Sequence, residues 1–169
     1  MSPRVEVLPL DGPAYAALAA GDLAAATAAS PVPLPPGFTD PAWSEVWRMR
    51  AEQVAADPAA AAWVTGVVWD ADRRLAVGRA AFHGPPDGRG MVEIGYAVLP
   101  EHRRRGYARA ALAALLARAR AEPAVSVVRL SIAPSNTASQ AVARPFGFVV
   151  VGEQVDPVDG VEVVSELPV

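Results

Sequence analysis

The chain has 169 residues, 52% of them apolar, with 15 basic and 18 acidic side chains and a formal net charge of −3. That composition suits one domain with a sizeable core and argues against a disordered chain or a nucleic-acid binder. There is no cysteine, which excludes disulfides, thiolate metal sites and a cysteine nucleophile; no run is long and apolar enough to span a bilayer or serve as a signal core, so the expectation is a cytoplasmic protein without a membrane partner.

Residues 4–10 alternate and predict a strand. Gly12-Pro13 opens a helical stretch broken near Gly21. The proline-rich run SPVPLPPG (30–37) excludes a regular element. With too few residues before it for an independent core, it reads as a rigid loop within one domain. Asp40-Pro41 is a helix start, and the helix runs to Asp57-Pro58. Trp43, Trp47 and Arg50 share one face of it, at spacings of four and three. The tryptophans are either core or the wall of a substrate pocket.

Three strand candidates follow at 63–69, 75–83 and 91–100. Short turns join them, which makes them antiparallel neighbours. A helix then separates 91–99 from a strand at 124–132. This βαβ crossover predicts a parallel pair inside a mixed sheet. Ser135 or Asn136 can cap a short helix, and Pro145 ends it. The last strands are 148–155 and 161–169.

The stretch PEHRRRGYARAALAALLARARAE (100–122) concentrates charge at a helix mouth. Tyr107, Ala108, Ala111, Leu112, Leu115, Leu116 and Ala119 form its apolar face. The helix is expected to start near Arg104 or Arg105, which puts Arg103, Arg104, Arg105 and Arg109 at its positive end. For an isolated helix that is the wrong sign, by about 0.3–1 kcal/mol per charge. A docked anion removes the conflict, and Gly106 and Ala108 leave room for one to approach the backbone. The plain alternative is a solvated basic turn paired with Glu101 and other acids. Neither G-x-x-x-x-G-K-[ST] nor G-x-G-x-x-G is present, which argues against an NTPase or a nicotinamide enzyme.

The run Arg103-Arg104-Arg105-Gly106-Tyr107-Ala108 fits Gln/Arg-x-x-Gly-x-Gly/Ala. EIGYAVLPEH precedes it, and Asn136-x-x-Ser139 and then Gly147-Phe148 come after. This ensemble resembles the GCN5-related N-acetyltransferase (GNAT) superfamily, in particular the branch with ribosomal-protein N-terminal acetyltransferases. The resemblance covers residue 4 to the end. It implies an α/β (α+β) fold, a mixed, mostly antiparallel twisted sheet of about seven strands flanked by helices, with a splayed parallel pair that binds the cofactor. It also implies one domain over 1–169, with an acceptor side at about 1–60 and a cofactor side at about 61–169.

The implied co-substrate is acetyl-CoA, with no metal. The resemblance assigns its pyrophosphate to the backbone amides of Arg104, Arg105, Gly106, Tyr107, Ala108 and Arg109, with Arg103 a further cofactor-binding residue, and its pantetheine arm to the main chain of Ala97, Val98 and Leu99. Asn136 and Ser139 are further cofactor contacts, or simply a helix cap and a first-turn serine. The Val98 amide is the implied donor to the thioester carbonyl.

Glu93 is the candidate base, since a carboxylate in an apolar strand calls for a reason; an ion pair with Arg79 is the alternative. Trp43, Trp47 and Tyr96 are candidate acceptor-side residues. Many relatives carry a tyrosine acid where this chain has Ala143, so that mechanism does not carry over. His83 and His102 are too few for a metal site and read as exposed loop residues.

The implied activity is acetyl transfer to a primary amine, small molecule or peptide, by direct attack in a ternary complex. The alternative is a non-catalytic acyl-CoA-binding or regulatory module of the same fold. Monomer and homodimer are both open.

Overall fold

The computed structural model describes residues 3–169. Seven strands form a mixed sheet: β1 (Val5–Leu8), β2 (Gly66–Asp70), β3 (Leu75–Phe82), β4 (Met91–Val98), β5 (Val127–Ile132), β6 (Val149–Asp156) and β7 (Gly160–Pro168). Their order across the sheet is β1-β2-β3-β4-β5-β7-β6. Only β4 and β5 run parallel, and the other neighbours are antiparallel. The helices are α1 (Gly12–Ala19), α2 (Leu23–Ala29), α3 (Pro41–Ala56), α4 (Tyr107–Ala121) and α5 (Thr137–Ala143).

Alternation along the strands separates two apolar cores. Val68, Val77, Ala80, Val92 and Ile94 pack under α4 with Leu112, Leu115 and Leu116. Val67 and Ala76 face the other way and join Tyr15, Phe38, Trp47 and Val54 from the N-terminal segments. The sheet is therefore covered by α4 on one face and by α1 to α3 on the other. No helix among the described residues is long and apolar enough to cross a membrane.

Several boundaries differ from the sequence expectation: β1 is confined to Val5–Leu8, β4 ends at Val98 and β5 begins at Val127, and two further differences have a structural cause. The strand expected from residue 63 begins at Gly66, because Pro58–Ala62 forms a 3-10 turn ended by Trp63 in helical geometry. A side chain at Gly66 would collide with the Leu8 carbonyl, so this position serves the close approach of β1. The helix expected from Arg104 or Arg105 starts at Tyr107, after Gly106 at φ 84°. Arg103 to Arg105 thus belong to the preceding turn, and only Arg109 lies in the first turn of α4.

Candidate active site

The crossover from β4 through α4 to β5 builds the site. β4 and β5 pair only through Met91, Val92 and Glu93 with Val127, Val128 and Arg129. Beyond that register they share no paired residues, and the sheet forks. A cleft of about 550 Å³ lies at the fork, lined by Tyr96, Ala97, Val98, His102, Arg103, Arg104, Gly106 to Arg109, Asn136, Ala138, Ser139 and Val142. That volume falls in the range of small-molecule sites.

The ladder with β3 decides which backbone groups face the fork. Leu99 N–H donates to Val77 O at 3.0 Å, and His83 N–H to Glu93 O at 2.8 Å. In an antiparallel ladder such residues alternate, so the odd-numbered positions of β4 turn their polar groups to β3. Tyr96 and Val98 turn theirs to the fork. Leu99 is 1% exposed, part of the core, with its N–H committed to β3. The Val98 carbonyl accepts from Arg103 Nε at 3.1 Å, which leaves the Val98 N–H aimed at the gap.

At the cleft mouth the backbone is left-handed at Arg104 (φ 59°) and Gly106 (φ 84°), the conformation from which anion-binding nests are built. Among the described residues, no acceptor engages the backbone N–H groups from Arg104 to Arg109; the first helical bond is Ala110 N–H to Gly106 O at 3.0 Å. None of Arg103, Arg104, Arg105 or Arg109 has an acidic partner among the described residues, Glu101 included. His102, expected as an exposed loop residue, instead sets its ring edge-on to Tyr107 at 6.1 Å, with Nδ1 buried and unpartnered. An orphaned polar atom, free N–H groups and unpaired guanidinium groups around one cleft fit an anionic phosphate group.

Asn136 is the cap of α5. Its Oδ1 accepts from Ser139 N–H at 3.1 Å, while both residues line the cleft. Tyr96 Oη lies 3.5 Å from the Ser139 carbonyl. Burial raises the Tyr96 pKa above the ordinary phenol value, against the pull of the Ser139 contact, so the phenol stays protonated at neutral pH. Ala143 is buried and offers no proton.

Glu93 closes the paired part of the fork and points to the α3 face of the sheet, opposite Val92 and Ile94. Its side chain is 19% exposed, and its partner is His83, at 3.9 Å from Nδ1. Arg79, the partner considered from sequence, does not pair with it. His83 was expected in an exposed loop. Its side chain is 49% exposed, yet the ring lies over Gly95, where a Cβ would meet Nε2 at 2.7 Å. Burial lowers the His83 pKa, opposed by Glu93 and reinforced by Arg50 and Arg79. The imidazole is therefore neutral at pH 7.

The tryptophans are core residues. Trp47 is fully buried, donates Nε1–H to Phe38 O at 2.8 Å, and stacks on Phe38. Trp43 is 9% exposed and lies edge-on to Phe38 and Trp47. Neither lines the cleft. Sequence reading also missed Asp70, which anchors Tyr107, and the nearness of Arg50 and Arg79 on the α3 face. No local motif marks these, since each depends on contacts between distant segments.

Comparison with known proteins bears on what this fold is. The family model described as "Acetyltransferase (GNAT) domain" matches residues 9–149. An uncharacterized N-acetyltransferase, YjdG of Bacillus subtilis, is 37% identical over 73 residues, which cover 43% of this chain and 44% of that protein. The chain thus matches less than half the length of that curated relative.

Solved structures align over nearly the full length. RimL, a ribosomal L7/L12 α-N-protein acetyltransferase in complex with coenzyme A, superposes with a TM-score of 0.67 at 16% identity, covering 98% of this chain and 94% of its own. RimJ of Mycobacterium smegmatis, in complex with CoA-disulfide, gives 0.63 at 19% identity, covering 99% and 90%. These likenesses show the same fold over nearly the whole described chain, and the match over residues 9–149 shows that the chain belongs to the GNAT acetyltransferase family.

Proposed function

We propose that the protein transfers the acetyl group of acetyl-CoA to a primary amine, by direct attack in a ternary complex. The observation that carries this reading is the fork between β4 and β5 beyond Glu93, with the free N–H groups of Arg104 to Arg109 at its mouth. Those N–H groups and the surrounding arginines hold the pyrophosphate, and Gly106 lets it approach. The pantetheine arm pairs with the backbone of Tyr96, whose polar groups face the gap, while the Val98 carbonyl accepts from Arg103. The co-substrate supplies an activated thioester acyl group.

The chain's own residues do the rest. Val98 N–H donates to the carbonyl oxygen as negative charge develops there. Glu93 faces the opposite side of the sheet, so the amine enters over the α3 face and the acyl group from the α4 face. Its carboxylate takes the ammonium proton, directly or through a water. Tyr96 Oη, protonated in the cleft, donates to the departing sulfur in place of the tyrosine that Ala143 replaces.

Thermal unfolding with acetyl-CoA tests the reading, with ATP as an anion control. At a hundredfold excess over its dissociation constant a native-state ligand adds about 2.7 kcal/mol, a rise of about 5–10 °C for a chain of this size. A rise with acetyl-CoA and none with ATP supports the assignment. No rise with a folded sample returns the arginine stretch to surface charge.

A further inference from the structure

The α3 face of the sheet carries two cations that nothing neutralises. Arg79 stands on β3 opposite Ala97. Its Nε is buried without a partner and its guanidinium lies over the Trp43 ring at 5.1 Å. No hydrogen bond or ion pair engages it among the described residues. Arg50, on α3, is 6% exposed. All its partners are neutral: Thr65 Oγ1 at 3.0 Å, Gln53 Oε1 at 2.8 Å, the His83 carbonyl at 3.3 Å and Met49 Sδ at 3.7 Å. Glu93, on the same face, has the neutral His83 imidazole 3.9 Å away and no hydrogen bond to either arginine. Burial, and then repulsion from Arg50, brings the Arg79 pKa down to about 10.

A buried guanidinium without counter-charge is costly, and an anion beside Arg50 and the half-buried Arg79 offsets that cost. Their position says which ligand. Arg79 and His83 lie four residues apart along one sheet face, about 13 Å between Cα atoms at the usual strand rise. The long guanidinium side chain shortens the distance an acceptor must bridge to Glu93. Gly95 and Ala81, paired between the two positions, add no bulk of their own, and the His83 ring lies over Gly95 at the Glu93 end. The Arg79 guanidinium is a planar fork suited to a carboxylate.

We propose that this strip is the acceptor subsite and that it selects a small amine that also carries a carboxylate, with Arg79 holding the carboxylate while the amine faces Glu93. This rests on the acetyltransferase reading but makes a separate claim. Arg79 contacts the carboxylate directly. Arg50, tied to Thr65 and Gln53, adds a fixed positive field behind it.

The test uses two amines that differ only in the carboxylate, 5-aminopentanoate and butylamine. Calorimetry of each with the CoA-loaded protein gives affinity without turnover. The expected result is tenfold or tighter binding of 5-aminopentanoate, with the difference gone in Arg79→Gln and partly retained in Arg79→Lys. Equal affinity of the two amines for the wild-type protein overturns the proposal, whatever the variants do. A wild-type preference that persists in folded Arg79→Gln also overturns it. If CoA itself does not bind, the acetyltransferase reading fails instead; the two amines are then titrated into the unloaded protein, where the same preference and its loss in Arg79→Gln are required.

Discussion

Tyr107 Oη donates a 2.7 Å hydrogen bond to Oδ2 of Asp70, a carboxylate with no exposed side-chain surface. The bond joins the end of β2 to the first residue of α4, so it fixes where the helix mouth sits relative to the sheet. Arg73 completes the carboxylate, its N–H donating to Oδ1 and its guanidinium to Oδ2, both at 3.0 Å. Removing the phenol leaves a buried charge short of a partner. Tyr107→Phe should cost about 1–3 kcal/mol in chemical denaturation, and it should weaken acetyl-CoA binding because the arginine turn loses its anchor. Unchanged stability would show that Arg73 alone satisfies Asp70.

The same carboxylate predicts a pH effect. Burial raises the Asp70 pKa, but the hydrogen bonds from Tyr107 and Arg73 outweigh it, so the net shift is downward. A depressed folded-state pKa stabilises fully above the unfolded value. That stability is lost as pH falls through the lower folded value. His83 acts in the same direction at higher pH. Its folded pKa lies below 6.5, so the unfolded chain binds the proton first, and stability declines as pH drops below the unfolded value. Melting curves between pH 7.5 and 5 should fall less steeply for His83→Asn than for the wild-type protein. Parallel curves would remove His83 from this account.

Gly106 is held at φ 84°, and a Cβ there would sit 3.2 Å from the Pro3 ring. An L residue in left-handed geometry costs about 1–2 kcal/mol, which the fold can absorb. Gly106→Glu also places a negative charge at the anion mouth. The expected outcome is an intact circular dichroism spectrum with the acetyl-CoA-induced thermal shift abolished. An unchanged dissociation constant would overturn the cofactor site.

Trp47→Ala separates core from acceptor wall. A fully buried tryptophan cut to alanine should cost about 3–5 kcal/mol. Its effect on acceptor KM should be small at temperatures where the variant is folded. A large KM change with little loss of stability would return Trp47 to the acceptor side.

The strands, the crossover and the apolar stripe of α4 were legible because periodicities of two and of 3.6 residues survive in the sequence. The helix boundary was not. Arg104 adopts a left-handed φ of 59°, which no arginine advertises, and this turns the three arginines out of the helix. Which β4 residues face the fork depends on register with β3, and register is set by partners across the sheet. The spacing of Trp43, Trp47 and Arg50 gave their shared face but not its content. Arg50 is buried there on Thr65 and Gln53, and the first of those contacts spans fifteen positions.

Glu93→Gln isolates the proton transfer. The amide is nearly the same size as the carboxylate but cannot accept the ammonium proton, so cofactor binding should be preserved and the thermal shift with acetyl-CoA should stay as large. Loss of a general base typically costs about 10²–10⁴ in rate, and kcat should fall by that order. The deficit should shrink as pH rises, because more of the amine is then neutral without help. Tyr96→Phe should have the opposite signature, since the group it removes donates a proton: its kcat deficit should not be relieved by raising pH. A Glu93→Gln rate near wild type would assign the carboxylate to its pairing with His83. A pH-independent deficit would point to substrate positioning in place of deprotonation.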